Sequence, residues 1–413
     1  MFKIKHQPNE VIFCKKCVNT NQKPVPSDIK KDDKFHTAKK FLRFENGICS
    51  ACLEVEKKFR NNKNKSDQID WKERERKLLK ILEKYRSRNG SYDCIVPGSG
   101  GKDSVFQAET LKKKYKMNPI TVTFSPLLYT DIGMKNFHNW STNGKVNNFL
   151  YSPSGYTYGK LSNLAYRNLL HPFQPFVFGQ RHYASQMANL LNIPLIFMGE
   201  PNSEWGSEED EDNQFEYGAK YFTKKKDENV LISGCTIEEL KKKHGIKPSD
   251  LDFFLPLEEK KVKEKGIRVL FLGYFENMQP QENFYLASKV SKFKTSPERV
   301  EGTYSKYVSL DDKVDTLHFW CSYVKFGVGR ATEEAASECR HGYITREEAV
   351  NLVKKYDSEF PKKYFKDFLD FTSMKEEEFF EIADSFRPAH LWEKSGNDYR
   401  FANNWKLKKA VYK

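Results

Sequence analysis

Two short clusters of residues carry chemistry in this sequence. The first, Ser99-Gly100-Gly101-Lys102-Asp103-Ser104, lies between the apolar run Tyr92–Pro97 and a helical stretch from Val105 to Lys114. Small residues in such a turn let backbone N–H groups close on phosphate oxygens, and the helix start adds positive potential. The chemistry this predicts is that of ATP. Two familiar phosphate loops fail on spacing. A Walker loop needs Gly five positions before its Gly-Lys and Ser or Thr straight after, where Val96 and Asp103 stand. A dinucleotide fingerprint opening at Gly98 or Gly100 would place its third glycine at Asp103 or Val105.

The second cluster joins Cys14-Lys15-Lys16-Cys17 to Cys49-Ser50-Ala51-Cys52, half of the eight cysteines. Each pair lets two thiolates converge on one ion, and two pairs complete a tetrahedral four-sulfur shell with no position open to substrate. Zinc in a structural role is the expected occupant. An iron–sulfur cluster is the competing one, although its familiar spacings are not met. The Lys- and Asp-rich stretch Ser27–Lys34 reads as a loop or hairpin excursion between the pairs. Cys94, Cys235, Cys321 and Cys339 are isolated and read as structural thiols.

These clusters need a scaffold. A chain of 413 residues implies two or three units. No apolar run approaches the ~20 residues needed to cross a bilayer, and the first residues lack a signal peptide's apolar core, so a cytoplasmic protein without membrane contact is expected. The formal charge of +14 fits a nucleic-acid partner, an acidic substrate or a lysine-rich background. Lysines are scattered, and Leu240–His244 and Lys406–Lys413 read as solvated faces, so no nucleic-acid surface is expected. Asn61–Ser66 reads as linker, and Trp71–Arg88 as an amphipathic helix. Strands Tyr92–Pro97, Ile120–Phe124, Asn148–Tyr151 and Leu195–Met198 then alternate with helices Lys102–Tyr115, Gly133–Thr142, Gly159–Asn168 and Phe178–Leu191. The order weakens over Glu204–Lys265, with Glu208–Asp212 a solvated acidic patch, before a last strand Val269–Leu272 and a mainly helical remainder. Such alternation predicts an α/β fold, a doubly wound parallel sheet with ligand at the C-terminal strand edge. The expected units are a zinc-binding module (1–60), a linker and leading helix (61–90), an ATP-binding domain (91–300) and a helical region contributing to the substrate site (301–413).

With the Walker and dinucleotide spacings excluded, Ser-Gly-Gly-x-Asp-Ser resembles the PP-loop of the ATP pyrophosphatases. Segments 92–96, 121–133, 172–176, 199–204, 301–307, 311–313, 325–332 and 344–349, together with the cysteine pairs, resemble the N-acetyl sugar amidotransferases of bacterial surface-polysaccharide and flagellar-glycan pathways, including those of pseudaminic and legionaminic acid. Gly98 departs from the family, which often has Ser or Val there, and the acidic insert near Glu208 is a second departure. The resemblance implies a PP-loop fold and transfer of an acetamido oxygen to the α-phosphate of ATP. Ammonia then displaces AMP to leave an acetamidino group.

In that reaction Ser99, Gly100, Gly101 and Ser104 would hold the departing pyrophosphate, with Thr123 and Phe124 also at the ATP site. Lys102 would offset the developing charge and Asp103 would hold Mg²⁺. Glu200, at a strand end, and Lys306, Asp311, Asp312 and Arg330 are the further catalytic candidates, facing sugar, carboxylate or phosphate. Lys313 belongs to the same set of charged residues. The stretch Phe386–Trp392 reads as core. Neither an N-terminal nucleophilic cysteine nor a Gly-x-Cys-x-Gly elbow is present, so glutamine hydrolysis is not expected of this chain. The resemblance supplies separate glutaminase and cyclase-like subunits as the ammonia source. The competing reading is a tRNA-modifying PP-loop enzyme, forming thiolated bases or lysidine; Cys94, within a strand, is poorly placed as its reactive thiol.

Overall fold

Short β-branched and aromatic runs separated by amphipathic helices bury themselves as one parallel sheet. The computed structural model describes residues 4, 6–25, 41–59, 69–206, 215–226, 228–396 and 404–413. The Ser27–Lys34 excursion, the Asn61–Ser66 linker and the Glu208–Asp212 patch lie outside them.

After helix α1 (Ser50–Phe59) and helix α2 (Trp71–Tyr85), the chain alternates β1 (Cys94–Pro97), α3 (Lys102–Lys113), β2 (Pro119–Phe124), α4 (Asp131–Thr142), β3 (Asn148–Tyr151), α5 (Gly155–Leu169), α6 (Gln174–Leu191) and β4 (Leu195–Met198), with β5 at Arg268–Phe271. All four strand pairings are parallel, in the order β5-β4-β1-β2-β3. Side chains alternate between the faces as strand geometry demands. Ile95, Val122 and Ile196 join the core beneath α5 and α6, whereas Cys94, Val96, Leu195 and Phe197 join Leu78 and Leu82 of α2 and Val105 and Leu111 of α3. Helices therefore cover both faces, and the strand order reverses at β1. That reversal opens a crevice at the C-terminal end of β1, where Ser99–Ser104 begins.

Helices start earlier than the hydrophobic pattern predicts, because polar caps precede the first buried residue. Thr130 caps α4 by accepting from the Gly133 N–H, and Ser154 caps α5 by accepting from the Thr157 N–H.

The stretch after Glu204 contributes more to the core than its polarity suggests. Phe222, Ile232, Leu251 and Phe254 are buried, and Leu240 is fully buried although Lys241–Lys243 beside it are exposed. Leu240–His244 is thus anchored by one side chain rather than solvated throughout. Glu216 bridges antiparallel to Leu270 and covers the β5 edge.

The remainder is largely helical: α7 (Pro280–Val290), α8 (Asp315–Phe326), α9 (Arg330–Arg340), α10 (Arg346–Tyr356), α11 (Phe365–Thr372) and α12 (Glu376–Ser385). It ends in a small antiparallel pair, β6 (Trp392–Lys394) with β7 (Trp405–Leu407). Leu407 and Ala410 are buried, so Lys406–Lys413 packs down instead of forming a solvated face. Phe386, Leu391 and Trp392 are core residues.

Candidate functional site

The loop after β1 is held from below. The Gly98 N–H donates to the Val122 carbonyl (3.0 Å), and the Thr123 hydroxyl donates to the Gly98 carbonyl (2.6 Å) while accepting from the Asn148 amide (2.8 Å). Thr123 is buried and supports the loop's backbone. At Gly98 a Cβ would meet the Ser104 Cβ at 2.2 Å, which gives the departure from Ser or Val a packing reason. Gly100 has φ +83°, and a Cβ there would lie 2.9 Å from the Asn136 carbonyl oxygen. Only glycine takes that conformation without strain. The turn delivers the chain into α3, whose N-cap Gly101 supplies no side-chain cap. Its first-turn N–H groups therefore remain available to an anion. Ser104, buried, donates its hydroxyl to the Gly101 carbonyl (2.9 Å).

On one side of the loop lies a cavity of about 200 Å³, lined by Ser99, Gly101, Lys102, Asp103, Asp311 and Arg330 among others. Two cations and two carboxylates thus face one small space beside an open helix N-terminus. Lys102 Nζ pairs with Asp103 Oδ2 (2.6 Å), and the buried Asn283 amide donates to Asp103 Oδ1 (2.8 Å). Asn283 comes from α7, 180 positions along the chain, and no sequence signal marks it. Arg330 opens α9. Its Nε donates to Glu334 Oε1 (2.6 Å), and its guanidinium carbon lies 4.5 Å from the Phe319 ring centre. Burial works against its charge, but Glu334 and Asp315 outweigh that and raise its pKa. Glu334 also accepts from the Thr303 hydroxyl (2.7 Å). The buried Asp357 accepts from the Gly329 and Thr332 N–H groups and the Thr332 hydroxyl (2.7–3.0 Å), pinning the start of α9.

On the other side lies a larger cavity of about 430 Å³, lined by Gly98, Ser99, Gln107, Phe124, Tyr183 and Glu200 among others. Ser99 lines both spaces. Phe124 stands over β2 and Glu200 beyond β4, on opposite sides of β1. Gln107, one turn beyond Asp103 on the same helix, was discoverable from that spacing.

Other sequence candidates stand elsewhere. Asp312 is fully buried. Its oxygens accept from the N–H groups of Leu127 (2.5 Å), Leu128 (3.4 Å) and Val314 (2.8 Å), tying the chain after β2 to the start of α8. Burial pushes its carboxyl well above the usual range. Lys306 is exposed and donates to the Pro297 carbonyl (2.8 Å), outside both cavities. Lys313 pairs with Asp367 (2.5 Å).

The four N-terminal cysteines are buried with their sulfurs within 4.8 Å of one another, Cys14 to Cys52 at 3.9 Å and Cys17 to Cys49 at 3.7 Å. A tetrahedral zinc with bonds of about 2.3 Å has sulfur–sulfur edges of about 3.8 Å. The spacing suits a single ion; a cluster of several irons needs its sulfurs farther apart. N–H groups of Lys16, Asn19 and Cys49 point at these sulfurs (3.3–3.4 Å), as thiolates favour. The four cysteines could therefore bind zinc. No other group of three or more close His, Cys, Asp or Glu ligands occurs among the described residues. Asp103 and Asp311 supply the hard oxygens Mg²⁺ prefers, but they are two, so such an ion would arrive on a ligand's phosphates.

The cysteine module does not stand apart. Cys14, Cys17, Cys49 and Cys52 share a core with Ala335 and Ala336 of α9 and Ala349 and Val353 of α10. Arg346 Nε donates to the Cys14 carbonyl (3.1 Å) and the Cys339 thiol to the Lys16 carbonyl (3.1 Å). The module thus buttresses the helix that begins at Arg330. Residues 301–410 match the family described as LPS biosynthesis protein WbpG-like, C-terminal domain. The match covers this C-terminal region alone and supports a link with LPS and sugar biosynthesis. This WbpG-like region supplies Asp311 and Arg330 to the smaller cavity. The chain is also 34% identical over 90 residues to an uncharacterized protein of Methanocaldococcus jannaschii, covering 21% of this chain and 29% of that protein's length. No helix among the described residues is long and apolar enough to cross a membrane.

Proposed function

We propose that this chain is an ATP-dependent amidotransferase of PP-loop type that replaces the oxygen of a sugar's N-acetyl group with nitrogen. The observation that carries the reading is the Ser99–Ser104 turn: uncapped at a helix N-terminus, set where the strand order reverses, and forming a wall of two cavities. An acetamido oxygen is a poor leaving group until it is bonded to phosphorus. The sugar's oxygen attacks the α-phosphorus of ATP, the bond to the β-phosphate oxygen breaks, and pyrophosphate leaves. Ammonia adds to the activated carbon, a proton passes to solvent, and AMP departs with the former acetamido oxygen.

Pyrophosphate belongs in the smaller cavity, where α3 N–H groups, Lys102 and Arg330 oppose its growing charge. Mg²⁺, carried on the phosphates, would neutralise further charge beside Asp103 and Asp311. The acceptor and nucleoside take the larger cavity, with Glu200 at its rim. The cysteine cluster, with zinc, is structural and braces α9.

Ammonia must be delivered. Four of the eight cysteines form the buried cluster, Cys94, Cys235 and Cys321 are buried, and Cys339 donates to a backbone carbonyl. None is an accessible nucleophile for glutamine, so separate glutaminase and cyclase-like partners are proposed. Burial of Cys94, which pushes its thiol pKa well up, also speaks against transfer of sulfur to a tRNA base. A cytoplasmic setting follows from ATP and ammonia supply.

The test incubates the chain with ATP, Mg²⁺, an ammonium salt and N-acetylated sugars, free and nucleotide-linked, and follows products by mass spectrometry. Conversion of acetamido to acetamidino with equal AMP is expected. AMP production dependent on tRNA and on no sugar would overturn the reading.

A further inference from the structure

We propose that Gln107 determines specificity by accepting a hydrogen bond from the amide N–H of the acceptor's acetamido group. The inference rests on the amidotransferase reading above and adds the atom that recognises the substrate class.

Gln107 is 5% exposed and lines the larger cavity. Its side-chain oxygen Oε1 is buried without a hydrogen-bond partner among the described residues. A buried carbonyl oxygen is unfavourable without a donor, and the N–H of a ligand bound in the cavity would supply one. The amide end lies against the end of β4: a Cβ on Gly199 would come within 3.2 Å of Gln107 Nε2. Glycine there leaves the carboxamide its place.

The larger cavity has two ends of different chemistry. Over β2 stand the rings of Phe124 and Tyr183, whose centres are 5.8 Å apart; beyond β4 stand Gln107 and Glu200. A flat nucleobase suits the aromatic end and leaves the polar end to the acceptor. In the acetamido group the oxygen must stay open to reach phosphorus, which leaves the N–H as the handle. As the oxygen is phosphorylated the N–H polarises, and its hydrogen bond to Gln107 strengthens. The interaction is therefore worth more in the transition state than in the ground state.

The test measures binding of N-acetylglucosamine and of the matching O-acetyl sugar, which lacks the N–H, with a non-cleavable ATP analogue present. Wild type, Gln107→Leu and Gln107→Glu are compared, each checked for an unchanged melting temperature. Wild type should prefer the N-acetyl compound by about tenfold or more, as sites built around one hydrogen bond do. Gln107→Glu, still an acceptor, should keep the preference and Gln107→Leu should lose it, with affinity for the ATP analogue unchanged in both. No preference in wild type, binding of neither sugar, or a preference surviving in Gln107→Leu overturns the proposal. So does a Gln107→Leu variant that weakens the nucleotide instead of the sugar. Should wild type fail to bind the ATP analogue, the amidotransferase reading falls, and the N–H preference is then read without nucleotide.

Discussion

The two cavities flanking Ser99 are built differently. The larger is walled by the α/β sheet and its helices, from Pro97 to Phe271, within one topological unit. The smaller takes one wall from the glycine turn and the other from Val308–Asp311 and Arg330, more than 200 positions later. Its Arg330 wall leans on the cysteine module through the core shared by Cys14, Cys49, Ala335 and Ala336. The difference teaches that the charged walls of the smaller cavity depend on long-range assembly, whereas the larger cavity is intrinsic to the sheet. A sheet crevice positions its ligand by topology; an arginine brought from another region must be pinned, here by Glu334, Phe319 and Asp357.

The largest expected effect is at the turn itself. Lys102→Ala should lower AMP formation by about a hundredfold or more, since it removes a charge that acts on the departing pyrophosphate, while circular dichroism and melting temperature stay as in wild type. Unchanged turnover would remove the smaller cavity from the chemistry.

Next comes the dependence on the cysteine module. Cys49→Ser, or prolonged chelation, should release the bound metal, lower the melting temperature by several degrees and reduce AMP formation together, because α9 loses its support. Metal content by elemental analysis and activity should fall in parallel. Full activity in a metal-free protein would separate the module from the site.

Arg330→Lys should weaken inhibition by added pyrophosphate by about tenfold, because an ammonium cannot pair with Glu334 and present a planar fork to phosphate together. The larger cavity should be indifferent, so the KM for the sugar should not move.

The smallest effect is on stability. Burial pushes the carboxyls of Asp315 and Asp357 up to about 6. Each binds its proton more tightly folded than unfolded, so its contribution is complete below about pH 4 and is lost as pH rises through about 6. Relative to Asp315→Asn, wild type should lose on the order of 1–3 kcal/mol of unfolding free energy between pH 4 and 6, read from urea titrations. Equal slopes would mean that Asp315 is solvated in the folded protein.

Local spacing made much of this legible. The alternation of strands and helices from Tyr92 to Met198 follows from side-chain periodicity and was readable to within a few residues. The exceptions are helix starts such as Thr130 and Ser154, where a polar cap precedes the hydrophobic pattern. Beyond Glu204 the pattern is too broken, because buried residues such as Leu240 are single anchors among lysines.

For the site, type and order were not enough. Asp311 and Asp312 are adjacent and chemically identical, yet one faces a cavity and the other spends both oxygens on backbone N–H groups. Asn283 carries no motif, and Gln107 is marked only by its place one turn beyond Asp103 on the same helix. What the sequence alone determined is the chemistry available at local turns, the Ser99–Ser104 loop and each of the two cysteine pairs, since a turn's geometry is set by its own few residues. Which carboxylate faces a ligand, which arginine joins the loop and how the cysteine module supports that arginine were decided only by tertiary packing. Such contacts join residues hundreds of positions apart, and their energies appear only once the intervening chain is folded.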